Sequence, residues 1–347
     1  MTTATTATAA TTHGGSAAST MRAAVQHRYG GAETVTVETM PVPSPGEDEV
    51  LIAVEAAGID RGTEHLMTGR PYLVRLAGFG LTKPKQPVLG FDVAGTVVAV
   101  GAAVSRFAVG DEVFGIATGS VAQFAVAKAD KLSHKPANVP FDAAAASGVS
   151  GSTALQALVD AGGLVAGQRV LVVGASGGVG TFAVQIAAAL GATVDGIAGT
   201  DNLDLVRSLG AEQVFDHRTT ALTDIDQRYD LIIDCGGRNP TRRLRRLLTD
   251  GGTLVIVGGE GGNRLTGGFG RQLRSALLSP FVAHRLVMLM SREHHDGTDR
   301  LAELLSNGSV TPVIAARFGF ADVDQALERL ESGRSGGKLV VEVAGRG

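Results

Sequence analysis

Residues 168–180 read QRVLVVGASGGVG and join a buried-strand pattern to a glycine-rich turn. Val170 to Val173 form a continuous apolar run, which favours a strand covered on both faces of a parallel sheet. After the turn, apolar residues recur at helical spacing from Phe182 to Leu190. A dinucleotide pyrophosphate requires strand, glycine turn and helix in this order, because glycines let backbone N–H groups approach the phosphates and a helix N-terminus favours an anion.

The sequence after this turn continues the alternation of strand and helix. Buried strands are predicted at Val194–Ala198, Gln213–Phe215, Leu231–Asp234 and Leu254–Gly258, and helices at Leu203–Leu209 and Arg242–Leu248. This βαβ series indicates an α/β fold with a Rossmann-type, doubly wound parallel sheet. A Rossmann-like fold that binds no cofactor is the alternative, since glycine-rich turns also close strand–helix units without a ligand.

The part of the chain before this region follows a different pattern. Several short strand patterns bounded by turns, from Met21–Gln26 to Ala122–Ala125, predict a small β-barrel. The last strand pattern, Lys338–Val343, suggests that the chain returns to complete this barrel. We predict a disordered leader at residues 1–20, a barrel domain at 21–140 and 311–347, and a dinucleotide-binding domain at 141–310. The active site is expected in the cleft between the two domains.

Composition excludes several classes of protein. The chain has 347 residues and a net charge of −3, so it has no basic field that points to nucleic acid. Its single cysteine excludes a disulfide framework and a multi-cysteine structural zinc site, and it fits a reducing compartment. No apolar run is long enough to span a bilayer. We expect a cytoplasmic protein whose partner is a small-molecule substrate, with no nucleic acid and no membrane partner.

Four motifs together carry a family resemblance. They are LGFDVAG at Leu89–Gly95, GDEVFG at Gly110–Gly115, GASGGVG at Gly174–Gly180 and SLGA at Ser208–Ala211. With these motifs the chain resembles the medium-chain dehydrogenase/reductase superfamily, and within it the zinc-free quinone oxidoreductase-like branch, also called zeta-crystallin-like. The resemblance covers the chain from Met21 to Val343 and implies a GroES-like β-barrel catalytic domain beside the Rossmann domain. It also implies a homodimer, with the apolar segment Phe281–Met290 at the interface.

The resemblance bears on metal chemistry. Zinc-dependent members carry a cysteine and a histidine ligand where this chain has Asp60 and Phe91. Phenylalanine cannot bind a metal, and a catalytic zinc site needs histidine or cysteine donors, so no metal is expected. The paired His294 and His295 are expected to be solvated in a polar loop.

Without zinc as a Lewis acid, the expected reaction is hydride transfer to an activated acceptor, either a quinone or an α,β-unsaturated carbonyl. One alternative is an enoyl reductase of lipid or polyketide tailoring. The other is a cofactor-binding, crystallin-like structural or regulatory protein without enzymatic activity.

Three residues of the segment that should line the substrate side are candidate catalytic residues: Asp60, Thr63 and Tyr72. Zinc-free relatives carry Asn-Pro at Asp60-Arg61 and Asp at Thr63, so the family roles do not transfer directly. Asp60 orients water or a substrate hydroxyl in one interpretation and caps a helix in the other. Tyr72 is a proton donor or positions the substrate in one interpretation, and packs as an apolar ring in the other.

The cofactor-binding residues are assigned from the glycine turn, from the strand ends and from the resemblance. They are Thr153, Ser176, Gly177, Gly178, Val179, Gly199, Thr200, Asn202, His217, Gly236, Gly258 and Lys338. An acidic residue about 20 residues beyond the glycine turn marks NAD-dependent enzymes, because it binds the ribose 2′-hydroxyl. Gly199 falls there and leaves room for a 2′-phosphate, whereas Asp201 would repel one unless it points away. NADP(H) is the expected cofactor, with NAD(H) as the alternative, and Lys338 either reaches a phosphate or lies on the surface.

Overall fold

The computed structural model describes residues 20–259, 263–333 and 336–344. The predicted leader lies outside the described residues except for Thr20, which begins the first strand. The described chain forms a β unit and a parallel α/β sheet. Its helices include none that is long and apolar enough to cross a membrane.

The elements fall into three consecutive stretches of the chain. The first contains β1 (Thr20–Gln26), β2 (Val35–Pro41), β3 (Glu49–Ile59), α1 (Arg61–Thr68), β4 (Asp92–Val100), β5 (Glu112–Ile116), β6 (Phe124–Lys128) and β7 (Leu132–His134). The second contains α2 (Phe141–Ala145), α3 (Gly148–Leu155), β8 (Arg169–Val173), α4 (Gly178–Ala189), β9 (Thr193–Ala198), α5 (Leu203–Ser208), β10 (Gln213–Asp216), β11 (Tyr229–Asp234), α6 (Thr241–Arg245), β12 (Leu248–Ile256), α7 (Phe269–Leu278), β13 (Arg285–Met288) and α8 (His295–Ser306). The third contains β14 (Ile314–Gly319), α9 (Val323–Glu331) and β15 (Lys338–Glu342).

The β unit is built from both ends of the chain. Its seven-stranded sheet has the order β14-β15-β3-β4-β5-β7, and β6 also pairs with β3. β15 runs antiparallel to β3, with Leu339 opposite Ile59. Most residues of β3 are buried, and Val50, Ile52 and Val97 of β3 and β4 lie in the core of this unit. The pairing with β15 places Lys338 beside the end of β3.

The second sheet is the predicted Rossmann sheet. Its six strands have the order β10-β9-β8-β11-β12-β13, and every neighbouring pair is parallel. Val170 to Val173 of β8 are all buried, which confirms the strand covered on both faces. The strand order reverses between β8 and β11, and ligands of such sheets bind at the carboxyl ends of the strands at this point.

Several element boundaries differ from the prediction. The segment Arg242–Leu248 was expected to be one helix, but α6 ends at Arg245 and Leu248 already belongs to β12. Leu247 and Leu248 are buried in the sheet core, so tertiary packing overrides the local helical pattern. The strand expected at Ala122–Ala125 lies further along, as β6, where it pairs with β3. His294 and His295 do not lie in a loop, because His294 caps α8 and His295 is its first residue.

Polar contacts join the two units along α8. Arg106 of the β unit donates to both carboxylate oxygens of Asp299, at 2.5 and 2.7 Å. Ser133 Oγ and Thr298 Oγ1 lie 2.6 Å apart in a buried contact. These contacts fix the relative position of the walls of the cleft between the two units.

Candidate active site

The glycine-rich turn brings the end of β8 and the start of α4 close together. Gly174 has a φ of 79°, in the left-handed region that favours glycine. A Cβ on Gly180 would lie 2.1 Å from the Gly174 carbonyl oxygen, so only glycine allows this approach. Gly177 is the N-cap of α4 and gives the first N–H groups of the helix no side-chain partner. Those N–H groups can therefore bind an anion.

The turn also leaves space for that anion. The nearest atom to a Cβ on Gly177 would be the Gly174 oxygen at 3.4 Å, so the space beside Gly177 is open. The predicted contacts Gly236 and Gly258 follow β11 and β12 at the same edge of the sheet, and a Cβ on Gly258 would lie 2.2 Å from the Cys235 carbonyl oxygen. The structure thus brings together one group of the predicted cofactor residues: Ser176, Gly177, Gly178, Val179, Gly236 and Gly258. The residues present fit the pyrophosphate of a nicotinamide dinucleotide.

A second group of predicted cofactor residues meets at the ends of β9 and β10. A Cβ on Gly199 would lie 3.3 Å from Cε1 of His217, so the imidazole lies beside the glycine. Nδ1 of His217 is 2.9 Å from the Ala198 carbonyl oxygen. Thr200 Oγ1 donates to Asp216 at 2.6 Å. Asn202 faces Gly336, since a Cβ on that glycine would lie 2.7 Å from Asn202 Oδ1.

The structure adds Arg218 to this second group, a residue that sequence reasoning missed. Its guanidinium lies 3.4 Å from Thr200 Oγ1 and 3.7 Å from the Asp201 carboxylate. Asp201 is therefore paired with a cation at the position where it was expected to repel a phosphate. The sequence contained a signal for Arg218, because this residue directly follows His217, which was already assigned to the cofactor site.

The predicted Thr153 lies in α3, at a small cavity of about 80 Å³. Its Oγ1 is 3.5 Å from Ser291 Oγ, across the cavity wall. Ser152 lines the same cavity, and its buried Oγ has no hydrogen-bond partner among the described residues. An unpaired buried hydroxyl at a cavity is a group that a ligand can satisfy.

A larger cavity of about 370 Å³ lies next to the small one. Ile116, Lys131 and Glu293 line both cavities. The walls of the larger cavity combine apolar side chains such as Leu66, Leu89 and Phe91 with polar ones such as Gln26, Thr63 and Gln86. Four charged residues also line it: Glu49, Lys128, Lys131 and Glu293. A concave pocket that combines apolar walls with convergent polar groups is the usual form of a small-molecule site.

Asp60 occupies the position that its helix-capping interpretation requires. Its Oδ1 accepts from the N–H groups of Gly62 at 2.9 Å and Thr63 at 3.3 Å, at the start of α1. Its Oδ2 accepts from Lys338 Nζ at 2.9 Å. Burial by itself would raise the pKa of Asp60, but the Lys338 ammonium and the two N–H donors hold it below its ordinary value.

Lys338 does not lie on the surface, so that interpretation is wrong. It is only 1% exposed, and its Nζ also donates to Asp92 Oδ2 at 2.6 Å. Burial works against the charged form of Lys338, but Asp60 and Asp92 raise the pKa of the amine well above its ordinary value. The ammonium therefore stays charged between two carboxylates, beside the glycine turn rather than free to bind there.

Tyr72 is not among the described residues that line either cavity. Its backbone N–H donates to the Arg264 carbonyl oxygen at 2.9 Å, and Leu73 N–H donates likewise to Leu265 at 2.9 Å. Its ring lies 4.8 Å from the Arg75 guanidinium. The structure thus places Tyr72 in a contact between the two units, and its assignment as proton donor stays a prediction.

Two further features concern metal binding and nucleophilic chemistry. Among the described residues, His294, His295 and Asp296 are the group whose ligand atoms lie close enough to hold a metal. They lie at the start of α8, where His294 and Asp296 are exposed. Burial and the charge of Asp234 raise the pKa of the Cys235 thiol far above neutrality, as expected for a core residue and not for a nucleophile.

Comparisons with known proteins agree with this geometry. Two family models match the chain, the alcohol dehydrogenase GroES-like domain over residues 46–168 and the zinc-binding dehydrogenase domain over residues 209–341. The chloroplastic quinone oxidoreductase QR1 from Triphysaria versicolor is 33% identical over 341 residues, covering 93% of this chain and 98% of the relative. The mitochondrial NAD(P)H oxidoreductase RTN4IP1 from Bos taurus is 32% identical over 364 residues, covering 93% of this chain and 89% of the relative. The solved structure of the quinone oxidoreductase from Coxiella burnetii has a TM-score of 0.82 at 26% identity, covering 93% of this chain and 99% of that one.

These matches confirm the predicted GroES-like and Rossmann-type units and a nicotinamide-dependent enzyme. One domain description mentions zinc, whereas the resemblance places Asp60 and Phe91 at the positions of the cysteine and histidine ligands of zinc-dependent members. The identity extends over both units and nearly the full length of the relatives. The chain belongs to the quinone oxidoreductase family of NAD(P)H oxidoreductases, within the medium-chain dehydrogenase/reductase superfamily.

Proposed function

We propose that this protein is a zinc-independent, NADPH-dependent reductase of quinones or α,β-unsaturated carbonyls. The observation that carries the proposal is the open pyrophosphate turn combined with a cavity whose walls include Leu66, Phe79 and Phe91. Acceptors of this kind need no Lewis acid, because conjugation spreads the charge that develops on the oxygen. A quinone ring also matches the aromatic and aliphatic walls of the larger cavity.

The cofactor, when bound, supplies the hydride. The start of α4 holds the phosphates, because its N–H groups and its dipole both favour an anion. Leu66 and Phe91, both half-buried, give the acceptor an apolar wall. Thr63 and Gln86 provide hydrogen-bond donors that can hold a carbonyl oxygen at the cavity wall. Tyr72 lines neither cavity, whereas Thr63 lines the larger one. We therefore prefer Thr63 to Tyr72 as the residue that holds the carbonyl oxygen of the acceptor.

NADPH is preferred because of Arg218. Its guanidinium lies 3.4 Å from Oγ1 of Thr200, one residue beyond Gly199, where the ribose of the cofactor is expected. The planar guanidinium of an arginine can form two parallel hydrogen bonds to a phosphate. Its five N–H donors are enough to bind Asp201 and a phosphate at the same time. A paired Asp201 repels the 2′-phosphate less than a free carboxylate would.

The direct test is a fluorescence titration of the purified protein with NADPH and with NADH, followed by oxidation assays with quinones and simple enones. We expect tighter binding of NADPH and turnover of at least one acceptor class. Preference for NADH would contradict the role of Arg218. Tight cofactor binding with no turnover of either acceptor class would contradict the proposed reaction and favour a binding protein.

We also propose a cytoplasmic homodimer. β13 is an edge strand, and Phe281 just before it is 84% exposed. Leu273 and Leu277 of the neighbouring α7 are exposed as well. An exposed apolar patch beside an unpaired strand edge is a typical dimer surface. The single cysteine supports a reducing compartment.

A further inference from the structure

Three charged side chains from separate elements meet in the buried space below the glycine turn. Lys338 Nζ lies 2.6 Å from Asp92 Oδ2 and 2.9 Å from Asp60 Oδ2. Asp92 starts β4, Asp60 caps α1 and Lys338 starts β15. Sequence reasoning included Asp92 in a family motif but gave it no role. The inference that follows concerns Asp92 and rests on the proposed cofactor binding.

Asp92 also holds the start of α3. Its Oδ1 accepts the backbone N–H of Val149 at 2.5 Å. A Cβ on Gly148 would lie 2.8 Å from the same oxygen, so the carboxylate sits directly against the first turn of this helix. Because α3 carries Ser152 and Thr153, Asp92 sets where these hydroxyls lie at the small cavity.

Lys338 connects Asp92 to the pyrophosphate turn. A Cβ on Gly178 would lie 3.2 Å from Lys338 Cδ and 3.1 Å from Ser150 Oγ. The lysine stem therefore packs against the first residue of α4, and α3 packs against the same glycine. Asp92 is the one carboxylate of the cluster that contacts both α3 and Lys338.

We infer that Asp92 is a positioning residue for the cofactor, which holds α3 and, through Lys338, the glycine turn in the arrangement that binds a nicotinamide dinucleotide. As a positioning residue, Asp92 does not contact the cofactor itself. It acts through two charge-assisted hydrogen bonds, each of which weakens when the carboxylate gains a proton. Cofactor affinity should therefore depend on the charge of Asp92.

The charge of Asp92 changes close to physiological pH. Burial raises the pKa of Asp92 to about 6; the Lys338 ammonium opposes this rise and the Asp60 carboxylate adds to it. The groups that face Asp92 are Lys338 from β15, Asp60 from the start of α1 and the Val149 N–H from α3. The ionised, positioning form dominates above pH 6, and it is lost as the pH falls below that value.

The experiment compares NADH affinity, by fluorescence titration from pH 5.0 to 8.0, in wild type and Asp92→Asn. NADH is the probe because it lacks a 2′-phosphate that titrates in the same range. Wild type should bind on the order of tenfold more weakly at the acid end than at the alkaline end. Asp92→Asn should bind weakly at every pH, with a flat profile.

A matched control separates positioning from stability. Asp195 of β9 is also fully buried, and it accepts from Tyr229 Oη at 2.9 Å and from Arg169, the first residue of β8, at 3.2 Å. Asp195→Asn should lower the melting temperature and leave the pH profile of NADH binding unchanged. An Asp92→Asn protein with the wild-type profile would overturn the inference, and so would a flat wild-type profile. If wild type binds neither NADH nor NADPH, the proposed function fails instead.

A second variant keeps the test open if Asp92→Asn does not fold. Asp60→Asn introduces an amide whose oxygen can still cap α1, and it removes the negative charge beside Asp92. The pKa of Asp92 should then fall, so the loss of NADH affinity should occur at lower pH than in wild type. An unchanged or higher midpoint would contradict the role of Asp92.

Discussion

Arg218 lies at the point of the site where NADPH and NADH differ in charge. Thr200 and Asp201 hold its guanidinium at the ends of β9 and β10. The side chain is more than half exposed, so solvent screens its charge and limits what it contributes. A phosphate nevertheless gains a bidentate partner there that a hydroxyl cannot use.

Arg218→Ala should weaken NADPH binding about tenfold and leave NADH binding nearly unchanged. Fluorescence titration of both cofactors measures this ratio. Arg228→Ala is the control, since the hydrogen bonds that its side chain makes to other described residues go to backbone oxygens of its own loop. An equal loss for both cofactors would place Arg218 in the shared part of the site and not at the 2′-phosphate.

Gly177 tests the pyrophosphate turn at the same scale. Gly177→Asp should weaken cofactor binding by about 100-fold or more, because its carboxylate would lie against the phosphates. Gly177→Ala is the matched control, since its Cβ would have no neighbour nearer than 3.4 Å, and it should fold with the wild-type melting temperature. Unchanged affinity of Gly177→Asp would contradict the location of the cofactor.

At the scale of elements, the close approach of α4 to β8 depends on one glycine. A Cβ on Gly180 would lie 2.1 Å from the Gly174 oxygen and 2.8 Å from Ala175 Cα, and both are backbone atoms that cannot move aside. The turn therefore positions the helix N-terminus only while residue 180 has no side chain.

Gly180→Ala should destabilise the protein by roughly 2–4 kcal/mol, through displacement of α4 from the sheet. Thermal unfolding followed by circular dichroism measures the effect. Gly270→Ala is the control in α7, where the nearest atom to the new Cβ is 3.5 Å away, and its melting temperature should stay the same or rise slightly. Equal melting temperatures for both variants would mean that α4 tolerates the added methyl group.

The elements also show which features a single sequence can predict. The strand–turn–helix unit at 168–190 was predictable because apolar periodicity and glycine spacing are local signals. The end of α6 was not, because Leu247 and Leu248 follow the helical pattern of Arg242–Leu248 yet are drawn into the sheet core. The contacts of Lys338 were equally hidden, since its partners lie 278 and 246 residues away along the chain.

The same difference between local signals and contacts of distant segments applies to the predicted site residues. Glycines at strand ends could be assigned from their position in the βαβ series, but Tyr72 could not be placed because its neighbour is a loop of the other unit. The sequence allowed two interpretations of Asp60, and the geometry at the start of α1 favours its role as the helix N-cap.

At the scale of the whole molecule, we expect a homodimer that forms at the β13 edge of the parallel sheet. Phe281→Asp should shift the protein from dimer to monomer in size-exclusion chromatography with light scattering, because it places a charge in the apolar patch beside β13. Val109→Asp is the control, a change at an apolar residue that is 63% exposed in the β unit. A monomeric wild type, or a dimeric Phe281→Asp, would contradict the proposed interface.

The pairing of β15 with β3 also determines the order in which this chain can fold during synthesis. The strands β8 to β13 are contiguous, so the parallel sheet can form as soon as Met288 has left the ribosome. The β unit is completed later, because Ala56–Ile59 at the end of β3 lack this strand partner until β15 has been made some 280 residues later, whereas Glu49–Ala53 pair with β6. For that interval the growing chain carries an unpaired strand edge, the form most prone to aggregate or to recruit a chaperone.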